Sequence, residues 1–196
     1  MGIYTSTYLK NIASEKGSIF ESKLFSAQGG AKDYYDIFLS HSFLDKEEVK
    51  GLYLELTDLE YSVYVDWIVD PDLDRSNVTK ESAELIRKRM KSSRSLLLAI
   101  SANAEMSKWI PWELGYVDGH TNKCAIIPVS KENYSPKVFR GKEYLKLYPF
   151  IKKTALTYKS FEKLWVIESE YSYSSFEDWY RSGLLEGNRN INIYEL

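Results

Sequence analysis

Apolar runs of strand length alternate with segments of helical periodicity between residues 34 and 130. The runs YYDIFLS, YSVYVD, SLLLAIS and KCAIIPV are short and almost continuously apolar. Between them, KEEVKGLYLELTDLE and KESAELIRKRMKSSR repeat apolar positions at helical spacing. Buried strands separated by single helices are typical of a parallel sheet covered on both faces. The pattern therefore predicts an α/β fold that begins in the order β-α-β-α-β.

Local sequence signals define the limits of one of these helices and of a third helix after the next strand. Thr79 and Ser82 can both cap the helix of KESAELIRKRMKSSR. After the third strand, SKWIPWELGYVDG predicts a helix from about Trp109 to Asp118, with Gly119 as a plausible stop. The stretch WIVDPDLDRSNVT has no clean period and predicts a long loop after the second strand.

The two ends of the chain are predicted to lie outside this core. Residues 1–33 are expected to form an N-terminal arm with a short helix, which the paired glycines of AQGGAKD end. Residues 34–150 form the core, and residues 151–196 a helical extension packed on it. Within the last part, EYLKLYPFI predicts a fifth strand, SFEKLWVIES and SSFEDWYRSGLL predict short helices, and NINIYEL a strand or an ordered tail.

Composition narrows the class of protein. With 196 residues and a formal charge of -2, the chain is long enough for one domain and carries no overall field that attracts nucleic acid or an anionic membrane. The single cysteine, Cys124, lies in an apolar run and predicts a buried thiol without an internal disulfide. No run suits a membrane span or a secretory signal, so a cytoplasmic protein is expected.

Candidate site residues are expected directly after the strands. In doubly wound sheets, ligands bind beyond the carboxyl ends of the strands. Three stretches follow strands here: SHSF, DWIVDPDLDRSN and SANAEMSKWIPWEL. In the last, Glu113 lies in the first turn of the predicted helix, four residues after Trp109 and on the same face. An acid there is expected to stay ionised and to suit a sugar hydroxyl or a cationic transition state, or else simply to stabilise its own helix.

Several familiar motifs are missing from the sequence. It has no GxGxxG, GxxxxGK[ST] or Gly-x-Ser-x-Gly. His41 and His120 are not spaced with cysteines or acids as zinc ligands, and DPDLD lacks the glycine and glutamate of an EF-hand. No metal and no cofactor are predicted.

Five segments taken together resemble the TIR (Toll/interleukin-1 receptor) domain family, particularly its bacterial members. They are, in order, YYDIFLSHSFLDK, YSVYVDW, SSRSLLLAIS, SKWIPWELGYVDG and CAIIPV. The resemblance implies a flavodoxin-like doubly wound sheet and, in the enzymatic branch, cleavage of the nicotinamide-ribose bond of NAD+ by the glutamate of a W-x-x-x-E arrangement. In this sequence that catalytic residue is Glu113, and NAD+ is a substrate rather than a cofactor.

The resemblance also implies substrate-binding residues at three places: after the first strand, after the second strand, and before the helix of the glutamate. In this sequence they are Ser40, His41, Ser42, Trp67, Ser107, Lys108 and Trp109. The loop from Trp67 to about Thr79 matches the family's mobile BB-loop. Catalytic members often carry arginines where this chain has SHSF, so His41 also fits a loop residue and Trp67 a packing residue.

Standalone bacterial proteins of this kind often act in Thoeris-type anti-phage defence. The resemblance thus implies a producer of a cyclic or otherwise modified ADP-ribose signal for a separate effector protein, assembled as a homo-oligomer through TIR-TIR contacts. One alternative is a non-enzymatic TIR adaptor that acts through contacts alone. Another is an enzyme of similar fold that cleaves a different N-glycosidic bond, such as a deoxyribosyltransferase. The pair Trp109 and Glu113 favours the NAD+-cleaving enzyme, because an adaptor has no physical need for it.

Overall fold

Strands and helices alternate along most of the chain. The computed structural model describes residues 3–28, 30, 32–41, 46–77, 79–100, 109–131, 143–155, 162–169 and 171–185. Its strands are β1 (Tyr4–Thr5), β2 (Tyr35–Ser40), β3 (Val63–Tyr64), β4 (Ser93–Ile100), β5 (Cys124–Ser130), β6 (Phe150–Ala155), β7 (Glu162–Ile167) and β8 (Tyr173–Ser175). Its helices are α1 (Ser6–Glu15), α2 (Gly17–Gln28), α3 (Lys46–Asp58), α4 (Asp66–Val69), α5 (Lys80–Lys91), α6 (Ile110–Thr121) and α7 (Phe176–Ser182), with a 3₁₀ helix at Glu143–Leu147.

The sheet has the order β3-β2-β4-β5-β6-β7-β8. Strands β2 to β6 are parallel, whereas β7 and β8 are antiparallel additions, and β1 pairs with the end of β5. Counted from β2, the parallel strands follow the 2-1-3-4-5 order of flavodoxin-like folds. This confirms the predicted fold class. We call the side where the parallel strands end the carboxyl edge of the sheet.

Helices cover both faces of the sheet. The thiol of Cys124 approaches the carbonyl oxygen of Leu114 on α6, whereas Lys153 Nζ reaches Glu55 on α3 at 2.6 Å. Because Ile126 pairs with Phe150, the register places Cys124 and Lys153 on opposite faces. Strands buried on both sides need continuous apolar runs, which is why the sequence pattern identified them.

The N-terminal segment contains two helices, α1 and α2, where the sequence suggested one short helix. Leu9 on α1 is fully buried. Helix α1 crosses α3 at Gly51, where an added Cβ would lie 2.3 Å from the carbonyl oxygen of Leu9. Only a glycine permits this approach of the two backbones. The division of the chain at residues 33 and 150 remains a prediction.

The C-terminal segment contains more strand than the sequence analysis expected. SFEKLWVIES, predicted as a helix, contains strand β7 (Glu162–Ile167), whose residues 164–167 are all buried between β6 and β8. In EYLKLYPFI, the strand starts only at Phe150 and is preceded by the 3₁₀ helix. The helix predicted in SSFEDWYRSGLL is confirmed as α7, whose N-cap is Ser175. NINIYEL lies outside the described residues.

The C-terminus of α6 differs from the prediction, whereas the N-terminus of α5 agrees with it. Helix α6 does not stop at Gly119 but continues to Thr121, and Asn122 then takes the left-handed conformation with a φ of 53°. The N–H of Asn122 donates to Asp118 O, which ends the helix with an asparagine in place of a glycine. The predicted caps of α5 are confirmed, since Thr79 and Ser82 bond reciprocally.

The state of Cys124 and the length of the helices were also predicted. Cys124 is a free, buried thiol, as predicted, and burial raises the pKa of its thiol far above the ordinary value. None of the helices in the described ranges has the length and apolar character needed to cross a membrane.

Candidate active site

Helix α6 starts at the carboxyl edge and places Glu113 beside the end of β2. The backbone N–H of Glu113 donates to Trp109 O at 2.9 Å, within the first turn of the helix. The side chain is fully buried. Ser40 Oγ donates to Glu113 Oε2 at 2.6 Å, and Arg75 Nη2 donates to the other carboxylate oxygen, Oε1. These partners come from distant parts of the chain, so the carboxylate does more than stabilise its own helix.

Arg75 is shared between two carboxylates. Its Nη1 donates to Asp66 Oδ2 at 2.7 Å, while its Nη2 bonds Glu113. The guanidinium lies 5.4 Å from the ring centroid of Trp109, whose Nε1 donates to the carbonyl oxygen of Arg75 at 3.0 Å. The arginine side chain is 14% exposed. Asp66, Arg75 and Glu113 thus form one buried ion cluster, which we call the carboxylate cluster.

His41 and Trp67 border this cluster. His41 Nδ1 lies 2.9 Å from Leu39 O, and Trp67 Nε1 donates to His41 Nε2 at 3.2 Å. This network assigns the proton to Nδ1 and leaves Nε2 as an acceptor. Asp66 Oδ1 lies 3.4 Å from the same Nε2 and accepts the backbone N–H of Trp67 at 2.8 Å. The imidazole is therefore held between the end of β2 and the start of α4.

The structure brings five of the eight predicted site residues together at the carboxyl edge: Ser40, His41, Trp67, Trp109 and Glu113. Trp67 also packs at 6.0 Å from the ring of Phe20, so it contributes to the core as well. The remaining three, Ser42, Ser107 and Lys108, lie outside the described residues.

Sequence reasoning missed Asp66 and Arg75. Asp66 directly follows the apolar run of the second strand, at a position where site residues are expected. Arg75 is the only basic residue in DWIVDPDLDRSN. The signal for Arg75 was that it is a single cation among four aspartates, in a loop expected near Glu113.

The electrostatics of the cluster favour a cationic ligand. Two carboxylates share one guanidinium, which leaves an excess of one negative charge at a buried location. Burial alone raises the pKa of Asp66, but the charge of Arg75 and the hydrogen bonds from Arg75 and from the backbone N–H of Trp67 lower it. Burial likewise lowers the pKa of Arg75, but the charges of Glu113 and Asp66 outweigh it and the pKa is raised. Both groups of the Asp66–Arg75 pair are thus held in their charged forms.

A cavity of about 570 Å³ lies at the opposite edge of the sheet, between α2 and the starts of β2 and β3. It contains none of the predicted site residues. Its lining mixes two lysines, Lys23 and Lys32, with two acids, Asp36 and Glu60, so no net charge selects a ligand. Within the residues that the structure describes, no group of three or more histidine, cysteine or acidic side chains is placed to hold a metal ion.

Comparison with known proteins adds independent information. Residues 37–164 match the model of the TIR domain family. Over 145 residues the chain is 50% identical to a probable 3' cyclic ADP-D-ribose synthase, ThsB', of Bacillus cereus (strain MSX-D12), which covers 74% of this chain and 75% of that protein. Over 86 residues it is 33% identical to a putative cyclic ADP-D-ribose synthase, TIR2, of Cytobacillus dafuensis, which covers 43% of this chain and 23% of that protein.

Proposed function

This chain belongs to the TIR domain family, and we propose that it is an enzyme that cleaves NAD+ and closes the product into a cyclic ADP-ribose. The names of both relatives state the synthesis of a cyclic ADP-ribose. The relative with 50% identity matches about three quarters of each chain. NAD+ follows as the substrate because loss of its nicotinamide leaves the ADP-ribosyl group that a cyclisation needs.

The observation that carries this proposal is the position of Glu113. Its carboxylate is buried at the carboxyl edge, held by Ser40, in a cluster with an excess of negative charge. When nicotinamide leaves, positive charge develops on the ribose carbon C1′ and its ring oxygen. A fixed carboxylate in a dry site stabilises that charge more strongly than water does. Glu113 is the residue we propose as catalytic.

The reaction balances without an oxidant or a metal. The C1′–N bond breaks, and nicotinamide departs as a neutral molecule with the bonding electron pair. A ribose hydroxyl of the adenosine half then attacks C1′ and loses its proton, with the Glu113 carboxylate as the proposed acceptor. The 3′ in the name of the first relative denotes a ribose position, and we propose the same linkage here.

The other predicted residues are proposed as substrate contacts. His41 and Trp67 border the carboxylate cluster, and the ring of Trp109 packs against the guanidinium of Arg75. Ser42, Ser107 and Lys108 are proposed from the family resemblance alone. We further propose that the protein assembles through TIR-TIR contacts and that its product is a signal for a separate effector in Thoeris-type anti-phage defence.

The test is nicotinamide release from NAD+ by the full chain and by Glu113→Gln, with product identified by chromatography and mass spectrometry. Asp118→Asn is the matched control, because Asp118 is on the same helix and bonds Tyr148 away from the cluster. We expect a cyclic product from the wild type and the control and almost none from Glu113→Gln. Unchanged release by Glu113→Gln would reject the site. A wild type that neither binds nor cleaves NAD+ supports the adaptor instead.

A further inference from the structure

Arg75 occupies the position that the proposed function assigns to the substrate. Glu113 has two carboxylate oxygens, of which Oε2 is bonded to Ser40 and Oε1 to the guanidinium. The side chain of Glu113 is fully buried, and that of Arg75 is 14% exposed. A cationic ribose can therefore reach Glu113 only if the guanidinium moves away from Oε1.

Moving the guanidinium away has a cost unless both charges find new partners. Removing one member of a buried ion pair leaves the other charge desolvated and unpaired. A ligand with only a positive group would satisfy Glu113 and leave Arg75 with one partner fewer. A ligand with a positive group and a nearby anion satisfies both residues at once. NAD+ is such a ligand, because its pyridinium and its pyrophosphate are separated by one ribose.

We infer that Arg75 is a substrate-binding residue, which exchanges the carboxylate of Glu113 for the pyrophosphate of the dinucleotide when the pyridinium riboside arrives. The inference rests on the proposed function. After the exchange Glu113 pairs with the cationic riboside, and Arg75 pairs with the pyrophosphate while it keeps Asp66, so no buried charge is left without a partner.

Asp66 acts as a pivot for this exchange. It holds Arg75 Nη1 at 2.7 Å and is itself fixed by the backbone N–H of Trp67 at 2.8 Å. When Nη2 leaves Glu113, the bond to Asp66 keeps the guanidinium at the site. The planar fork of an arginine suits phosphate oxygens, and the ring of Trp109 supports its face.

The inference makes Arg75 a determinant of specificity for a dinucleotide over nicotinamide riboside, which has the same scissile bond but no phosphate. The wild type should prefer NAD+, because only NAD+ compensates the displaced arginine. In Arg75→Gln the preference should fall, since the phosphate contact is lost and the riboside no longer competes with an arginine for Glu113.

The experiment compares kcat/KM for NAD+ and for nicotinamide riboside in the wild type, Arg75→Gln, Arg75→Lys and Arg94→Gln. Arg94 is the control because it contacts Tyr180 near the start of β4, at the opposite edge of the sheet. We expect the NAD+ to riboside ratio to fall about ten- to hundredfold in Arg75→Gln, the range of a lost hydrogen bond to a charged group. The ratio should fall less in Arg75→Lys, and in Arg94→Gln it should equal the wild-type ratio.

The outcomes separate the inference from the proposed function. If Arg75→Gln slows both substrates equally, Arg75 only positions Glu113 and the inference is overturned while the enzyme stands. If Arg75→Gln changes the rate with neither substrate, the inference is overturned as well. Binding of NAD+ and the riboside to each protein is measured by calorimetry, and circular dichroism shows whether each variant is folded. If the wild type binds neither, the proposed function fails and the inference fails with it.

Discussion

Two arginines near α4 bind aspartates in different ways. Arg89 on α5 directs Nε and Nη2 at the same carboxylate, that of Asp70, at 2.9 and 2.7 Å. Tyr64 adds a third hydrogen bond to Asp70 at 2.9 Å. Arg75, in the loop between α4 and α5, divides its guanidinium between Asp66 and Glu113. Both arginines are mostly buried, with side chains 11% and 14% exposed.

The difference separates a pair that stabilises the fold from one that can serve a ligand. The fork of Arg89 is matched to one carboxylate, so the two charges neutralise each other and the Arg89–Asp70 pair joins the end of α4 to α5. We call it the closed pair. The carboxylate cluster instead joins three separate segments around one excess negative charge. We propose that a substrate cation binds to this cluster, whereas it would gain nothing from the closed pair.

The largest expected effect is a difference in the rate of nicotinamide release between variants of Glu113 and of Asp70. Glu113→Gln should reduce nicotinamide release by about 10²- to 10³-fold, the usual effect of removing one electrostatic contact to the reacting group. Asp70→Asn should keep the wild-type rate below its unfolding temperature. Initial rates at saturating NAD+ measure both. An equal loss of rate in the two variants would remove the distinction between the pairs.

Next in size is the effect of the closed pair on stability. Arg89→Gln should lower the free energy of unfolding by about 2 to 3 kcal/mol, because Asp70 keeps only its bond from Tyr64. Urea denaturation followed by circular dichroism measures this change. The rate of nicotinamide release from the folded variant should be that of the wild type. A variant as stable as the wild type would show that the Arg89–Asp70 pair contributes little.

A smaller effect concerns the serine that holds Glu113. Ser40→Ala should slow nicotinamide release about tenfold, because Oε2 loses its donor and the carboxylate is less well fixed. Ser95→Ala is the matched control, since Ser95 is equally buried in the neighbouring strand but donates to Asp36 O. We expect no change in rate from the control. If both variants lose activity together, the effect belongs to the sheet and not to Glu113.

The smallest effect is the dependence of stability on pH. Because the pKa of Asp66 is lowered in the folded protein, Asp66 contributes stability that is fully present above the ordinary aspartate pKa of about 3.9 and is lost as the pH falls through the lower folded value. Asp66→Asn should therefore flatten the fall of stability below about pH 4. Urea midpoints at pH 7 and at pH 3 to 4 test this, and a fall as steep as in the wild type would contradict it.

Most of the core of the fold could be predicted from the sequence. The strands are buried on both faces, so each one is a continuous apolar run that is visible without any tertiary information. Strand β7 shows where this fails, since a short apolar run also fits a buried helix. Only the antiparallel pairing with β6 and β8 decides between the two.

The candidate site was predicted in part. Glu113 and Trp109 stand out because they occur together in one helix turn, and Ser40 and His41 because they follow a buried strand. Asp66 and Arg75 gave a weaker signal, because one arginine and several aspartates in a loop are usually solvated side chains. Their role depends on contacts across 38 positions of sequence, such as that between Arg75 and Glu113.

The flavodoxin-like order of the sheet was predicted only from the family resemblance. The sequence by itself determined the alternation of strands and helices, the strand ends at which site residues were expected, and the glutamate in the first turn of α6. These follow from periodicity and from local helix geometry, which involve neighbouring residues only. The tertiary structure decided which charges pair: Asp70 with Arg89, and Glu113 and Asp66 with Arg75. The physical reason is that ion pairing depends on distance in space and on burial, and a loop between two helices brings its one arginine to a site that no sequence spacing specifies.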